Sequence, residues 1–198
     1  MNKIKTLIPD SIPEKYIELA NSYIIKRRNH IENMIPVAQQ LIEEYPVLKE
    51  HAEDLFGAIL LHDCAKELPL EKQYQLAVAY RGKLDSYEEK LPALWHAPAA
   101  AQLAIEELNL SRGPLTDTIS FHPTGNSPPG VLLQGLMIAD YAERGRSYPG
   151  AEEIRNLIGK ISLQELTLET LVKKINLCLQ RKTLIHPRSI SVYNELCA

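Results

Sequence analysis

Gly57-Ala58-Ile59-Leu60-Leu61-His62-Asp63-Cys64-Ala65-Lys66-Glu67-Leu68-Pro69 is the stretch on which the reading of this chain turns. Its apolar first half predicts a helix with most of its surface inside a core. Pro69 predicts the opening of the next helix. Between them stand a histidine and an aspartate, side by side. Two adjacent polar residues at the end of a buried helix can turn toward one point near its terminus. A neutral imidazole and a carboxylate together suit a borderline or hard divalent metal ion. Alone, the dipeptide is weak evidence, because such pairs also serve as helix caps and surface salt links.

Working outward, apolar residues recur at helical spacing almost everywhere. Val37, Leu41 and Tyr45 form one stripe, and Leu55, Phe56, Ile59 and Leu60 another. Leu94, Ala101, Ile105 and Leu108 follow, then Leu132, Leu136 and Ala139, then Leu168, Leu171, Val172, Ile175 and Leu179. Alternating apolar and polar runs are nearly absent. The fold class expected is all-α, a single domain of eight to ten helices without a sheet. Breaks are expected at Pro46, Pro69, Arg81-Gly82, Ser111 to Pro114, Pro123 to Gly130 and Tyr148-Pro149-Gly150. Pro36 interrupts a helical pattern six residues after His30, so either a kink or a new helix is expected there. Residues 1–22 read as an N-terminal extension, helical and docked, and residues 23–198 as the functional domain.

Bulk properties narrow the function. A chain of 198 residues with 45% apolar and 24% charged residues builds a globular core without disulfides. A net charge of -3 gives no basic face for nucleic acid or membrane, so a polyanionic ligand must be held by a local site. Cys64, Cys178 and Cys197 form no CxxC pair and read as packing residues. Met1 to Ile12 lacks the apolar run of a secretion signal, and no uncharged apolar run approaches the roughly 18 residues of a membrane span. A cytoplasmic location is expected.

Other polar residues change the weight of His62-Asp63. His30 lies on an earlier helix with Arg27 one turn before it, on the same face. Asp140 ends an apolar stripe with Leu133, Leu136 and Met137, where a carboxylate needs a partner. His96 and His122 each fall at a helix end. The ordered set His30, His62-Asp63, His96, His122, Asp140 is a strong signal for a metal site, although each member is weak by itself.

In these segments the chain resembles the HD-domain phosphohydrolases, marked by a spaced His, a His-Asp pair and a later Asp. The likeness is greatest to their YqeK-type branch, the symmetrical diadenosine tetraphosphate hydrolases. It is carried by Arg27 to His30, Leu60 to Pro69, Trp95 to Ala101, His122 to Gly125, Ile138 to Arg146, Ile185 to Arg188 and Tyr193-Asn194. The resemblance implies an iron ion, with manganese or zinc as alternatives, on His30, His62, Asp63 and Asp140, with one or two ions bound. It also implies nucleotide contacts at Arg27, Lys66, His96, His122 and Arg146. Glu67, Leu68 and Pro69 line the substrate by the same likeness, and Thr183, His186 and Arg188 stand near the base or ribose. The chain departs from the pattern at Ala97, at Pro123, at Ser127 to Gly130 and at Glu143 to Arg146.

These residues suit hydrolysis of a phosphoanhydride. Bound metal lowers the pKa of water, Asp63 accepts its proton, and Arg27, Lys66 and Arg146 meet charge on the phosphoryl oxygens. His96 and His122 bind phosphate, protonate the leaving group or hold a second metal; sequence leaves the three roles open. The expected partner is a nucleotide or dinucleoside polyphosphate, with no nucleic acid and no membrane, and a homodimer stays open. Blander readings stand beside these: Arg28, Arg144 and His51 as surface groups, and Trp95 and Tyr141 as core aromatics. Other phosphate esters as substrate, or a catalytically silent nucleotide-binding domain, remain alternatives.

Overall fold

The computed structural model describes residues 3–23, 26–147 and 149–198. Among them are eleven α-helices and no strand. They are α1 (Glu14–Tyr23), α2 (Arg28–Glu44), α3 (Pro46–Lys49), α4 (Ala52–Leu61), α5 (Leu70–Arg81), α6 (His96–Leu108), α7 (Pro114–Phe121), α8 (Val131–Ala142), α9 (Pro149–Leu157), α10 (Leu163–Arg181) and α11 (Pro187–Cys197). The all-α expectation holds. The count exceeds eight to ten partly because α3 is a four-residue turn that Pro46 starts and no periodicity could reveal. Tyr148 of one expected break lies outside the described residues, as do Met1 and Asn2 of the N-terminal extension.

The helix read from Gly57 to Leu61 is the centre of the molecule. Every residue of α4 from Leu55 to Leu61 is buried, and at roughly 1.5–3 kcal/mol per large apolar side chain this one helix anchors the core. It packs against α1, α2, α7 and α8. Gly57 lets α1 come close: a Cβ there would sit 3.1 Å from the Tyr16 ring. Ile4, Ile8, Ile12, Ile17, Leu19 and Ala20 join the same core cluster, so the N-terminal segment is packed in. The second buried helix, α8, lies against α2, α4, α7 and α10.

Pro36 starts no new helix. α2 runs through it, and the missing N–H costs a helical hydrogen bond. Met34, Ile35, Val37 and Ala38 on either side are fully buried, and that burial offsets a penalty of about 3 kcal/mol. The other breaks fall where expected. Gly82, at φ 76°, ends α5 in the left-handed region, and Pro114 opens α7. α10 starts from a reciprocal cap in which Ser162 Oγ accepts from the Glu165 N–H and Glu165 accepts from the Ser162 N–H.

The loop from Pro123 to Gly130 is tied to α11. Ser189 Oγ donates to the Thr124 carbonyl at 2.8 Å, and Gly125, at φ 76°, lies against Val192. Of the cysteines, Cys64 is buried and Cys178 half-buried, whereas Cys197 is exposed, contrary to the expectation that it packs inside. No helix among the described residues is long and apolar enough to cross a membrane.

Candidate metal and phosphate site

His62 follows the last residue of α4, where the helix runs out of partners for its final carbonyls. Its Nδ1 uses one of them, donating to the Ile59 carbonyl at 2.9 Å. His96, at the start of α6, does the same with Ala93 at 2.7 Å, and His122, after α7, with Ile119 at 2.8 Å. A carbonyl can only accept, so each Nδ1 carries the proton and each Nε2 presents a bare lone pair. Three histidines three residues past a free carbonyl are thereby fixed in the tautomer that binds metal.

These lone pairs converge. The ligand atoms of His30, His62 and Asp140 lie within 4.8 Å of one another, as do those of His62, Asp63 and His122. Asp63, with a fully buried side chain, is the hub: its oxygens lie 2.6 Å from Arg27 Nε, 3.1 Å from Lys66 Nζ, 3.4 Å from His96 Nε2, 3.5 Å from His62 Nε2 and 3.9 Å from His30 Nε2. Asp140 Oδ1 is 3.3 Å from His30 Nε2 and 2.9 Å from Arg146. Among the described residues the buried Nε2 atoms of His30 and His62 have no hydrogen-bond partner. Unpaired buried nitrogens are costly, and a divalent cation between His30, His62, Asp63 and Asp140 satisfies both. This donor set of nitrogens and carboxylates fits a divalent metal.

The electrostatics agree with that arrangement. Burial alone would raise the Asp63 carboxyl, but His62, Lys66 and His96 hold it well below the ordinary carboxylate range. Asp140 is likewise kept ionised against its burial, by the His30 ring beside it and the charge of Arg146. Burial, with Lys66 beside it, lowers His96 to about 4. Burial and the neighbouring His62 and His96 depress His122 well below its usual value. Both imidazoles are therefore neutral at pH 7.

Beside this centre opens a mainly apolar cavity of about 210 Å³. Leu91, Leu94, Leu171 and Ile185 form its body, while Pro123, Tyr141, Arg146 and Lys174 border the metal centre. Arg27, Lys66, His96, His122 and Arg146 thus gather around the four candidate ligands. The other expected contacts do not. Thr183 is exposed, with its hydroxyl on the Cys178 carbonyl. Arg188 is spent on Asp85 at 2.7 Å and Glu88 at 2.8 Å. Glu67 is exposed and accepts from the Lys26 backbone, Pro69 is an exposed cap residue, and Leu68 packs against the core. His186 lines the cavity, but its Nδ1 caps α11 and its Nε2 faces Asp85 at 3.1 Å.

Two groups at the site carried no sequence assignment. Glu143 Oε1 stands 3.6 Å from His30 Nδ1, where a carboxylate orients a metal-binding ring. Its sequence signal was its place, with Arg146, in the Ile138 to Arg146 segment that carries the resemblance. Lys174 reaches in from α10, and burial together with Arg146 and Lys66 lowers its pKa against the pull of Asp140. Trp95 donates its indole N–H to the Glu88 carbonyl and meets Tyr74 edge-on, and Tyr141 is buried. Arg28 and Arg144 are exposed, and His51 is half-buried at the start of α4.

The structure of a predicted HD superfamily hydrolase involved in NAD metabolism from Clostridium acetobutylicum superposes with a TM-score of 0.80 at 24% identity, covering 93% of this chain and 96% of that one. The chain shares the fold of that protein. Three relatives named symmetrical bis(5'-nucleosyl)-tetraphosphatase extend the resemblance along the sequence. The Bacillus subtilis protein is 27% identical over 84% of this chain and 87% of its own. That of Halalkalibacterium halodurans is 27% identical over 92% and 95%, and that of Staphylococcus aureus 28% identical over 98% and 90%. No family model matches the chain. His30, His62-Asp63 and Asp140 meet because α2, α4 and α8, which carry them or end beside them, pack on one another.

Proposed function

We propose that this chain hydrolyses a dinucleoside polyphosphate, cleaving diadenosine tetraphosphate and water symmetrically into two ADP. The observation that carries the reading is the direct adjacency of a His/Asp centre and an apolar cavity, with Arg146 and Lys174 at their junction. A cavity of this kind accepts a purine ring while the cations take the phosphates. The names of the three relatives, along nearly the whole chain, support the same substrate. Residues 23–198 form the hydrolytic domain in this reading, with the described part of residues 1–22 docked on it.

His30, His62, Asp63 and Asp140 would hold a divalent metal, with iron favoured by resemblance and manganese or zinc suited to the same donors. Such an ion supplies Lewis acidity and a water that ionises near neutral pH. Asp63, already ionised, accepts a water proton at its carboxylate. Arg27 and Lys66 neutralise the phosphoryl oxygens on the Asp63 side and Arg146 those on the Asp140 side. Glu143 keeps the His30 ring turned toward the centre. The pinned Nε2 atoms of His96 and His122 are acceptors, which favours metal or water binding over protonation of the leaving group.

Incubating metal-loaded protein with diadenosine tetraphosphate and separating the nucleotides tests the proposal. Two ADP per substrate is the expected result. AMP plus ATP, or no turnover with iron, manganese or zinc while mononucleotides are cleaved, would overturn it.

A further inference from the structure

Lys174 stands apart from the other cations of the site. Leu171, Lys174, Ile175 and Cys178 share one face of α10 and line one wall of the cavity. Arg27 and Lys66 both lie against Asp63, and Arg146 against Asp140. Lys174 has no carboxylate of its own: among the described residues its one hydrogen-bond partner is the neutral carbonyl of His122, at 3.3 Å. An ammonium carries three donors. A half-buried one that uses a single long hydrogen bond in a mainly apolar wall is poorly compensated. An anion between Lys174 and Arg146 would compensate it.

The location says which anion. The Nζ is held by the backbone of His122, whose side chain faces the metal centre, while the aliphatic stem lies along the cavity. A group bound there touches the ligand where its apolar part meets its charged part. In a nucleotide that is the phosphate attached to the ribose. We infer that Lys174 binds the phosphate adjoining the nucleoside in the cavity, and so governs nucleotide affinity without taking part in the bond-breaking step. This rests on the proposed function for the substrate, yet a nucleoside diphosphate alone is enough to test it.

The test uses full-length Lys174→Met, Lys174→Gln and Lys174→Arg, with ADP binding by calorimetry, adenosine binding by saturation-transfer NMR, and steady-state kinetics on diadenosine tetraphosphate. Loss of a charge-assisted hydrogen bond should raise the ADP Kd and the substrate KM about tenfold or more. The kcat should stay within about threefold, adenosine binding should hold, and Lys174→Arg should recover most of the ADP affinity. If the Met variant melts at lower temperature, the Gln variant supplies the same comparison. An unchanged ADP Kd, a parallel loss of adenosine and ADP, or wild-type protein that binds no ADP would overturn the inference. If wild-type protein binds ADP but cleaves no diadenosine tetraphosphate, the proposed function fails while Lys174 is still judged by the ADP Kd.

Discussion

The Nε2 atoms of His96 and His122 face each other across 3.4 Å. With both Nδ1 atoms pinned on carbonyls, two lone pairs meet with no proton of their own between them. The pair is satisfied by a cation, a water or an added proton, and burial opposes the proton.

That opposition has a pH signature in metal-free protein. His96 titrates near 4 when folded and near an ordinary 6.5 when unfolded, so between those values the unfolded chain binds the extra proton. Stability is therefore fully present above about pH 6.5 and declines toward pH 4, by about 3 kcal/mol from His96 alone. His122 acts in the same direction. Thermal melts of metal-free protein should show the midpoint falling through this window, and His96→Asn should flatten the slope.

Asp63 touches more partners at the site than any other residue, and removing it should be correspondingly severe. Asp63→Ala should lower bound metal and abolish measurable turnover. Elemental analysis and product chromatography on the same preparation check both, and full activity in the variant would refute the assigned site.

Glu143→Gln offers a milder test. The variant keeps the size of the side chain and removes the charge 3.6 Å from His30 Nδ1. Metal affinity should fall about tenfold to a hundredfold with the fold intact. Competition with a chromogenic chelator measures it, and unchanged affinity would remove Glu143 from the site.

Beside Phe121 lies an ion network. Glu88 is buried and takes Arg81 at 3.1 Å and Arg188 at 2.8 Å, and both guanidinium groups lie over the Phe121 ring. Glu88→Ala leaves the buried Arg81 without its carboxylate, beside an Arg188 that keeps Asp85, and should cost about 3 kcal/mol. Urea denaturation checks this, and a loss below about 1 kcal/mol would show that the network is dispensable.

The parts legible in sequence were those with a local signature. The buried run before His62-Asp63 and the positions of His30 and Asp140 on apolar helices announced the fold class and residues that the structure brings together. Thr183 and Arg188 were assigned through resemblance, and their side chains turn to the Cys178 carbonyl and to Asp85 and Glu88 instead. Those acidic partners lie 103 and 100 residues from Arg188, beyond the reach of any local pattern. Lys174 was hidden for a different reason. It follows Lys173 on an amphipathic helix, and lysines at such positions commonly lay their stems on apolar surface with the charge in water. Lys173 pairs with Glu153, whereas Lys174 lines the cavity and donates to the His122 carbonyl.

The three imidazoles anchored to their own helix ends have one more consequence, for the exchange of metal ions. Each ring is oriented by a carbonyl three residues away. Ring orientation is thus supplied by the local chain rather than by the assembled site. An incoming ion need displace no proton from the neutral His96 or His122. Exchanging one divalent ion for another should then require little reorganisation of these rings.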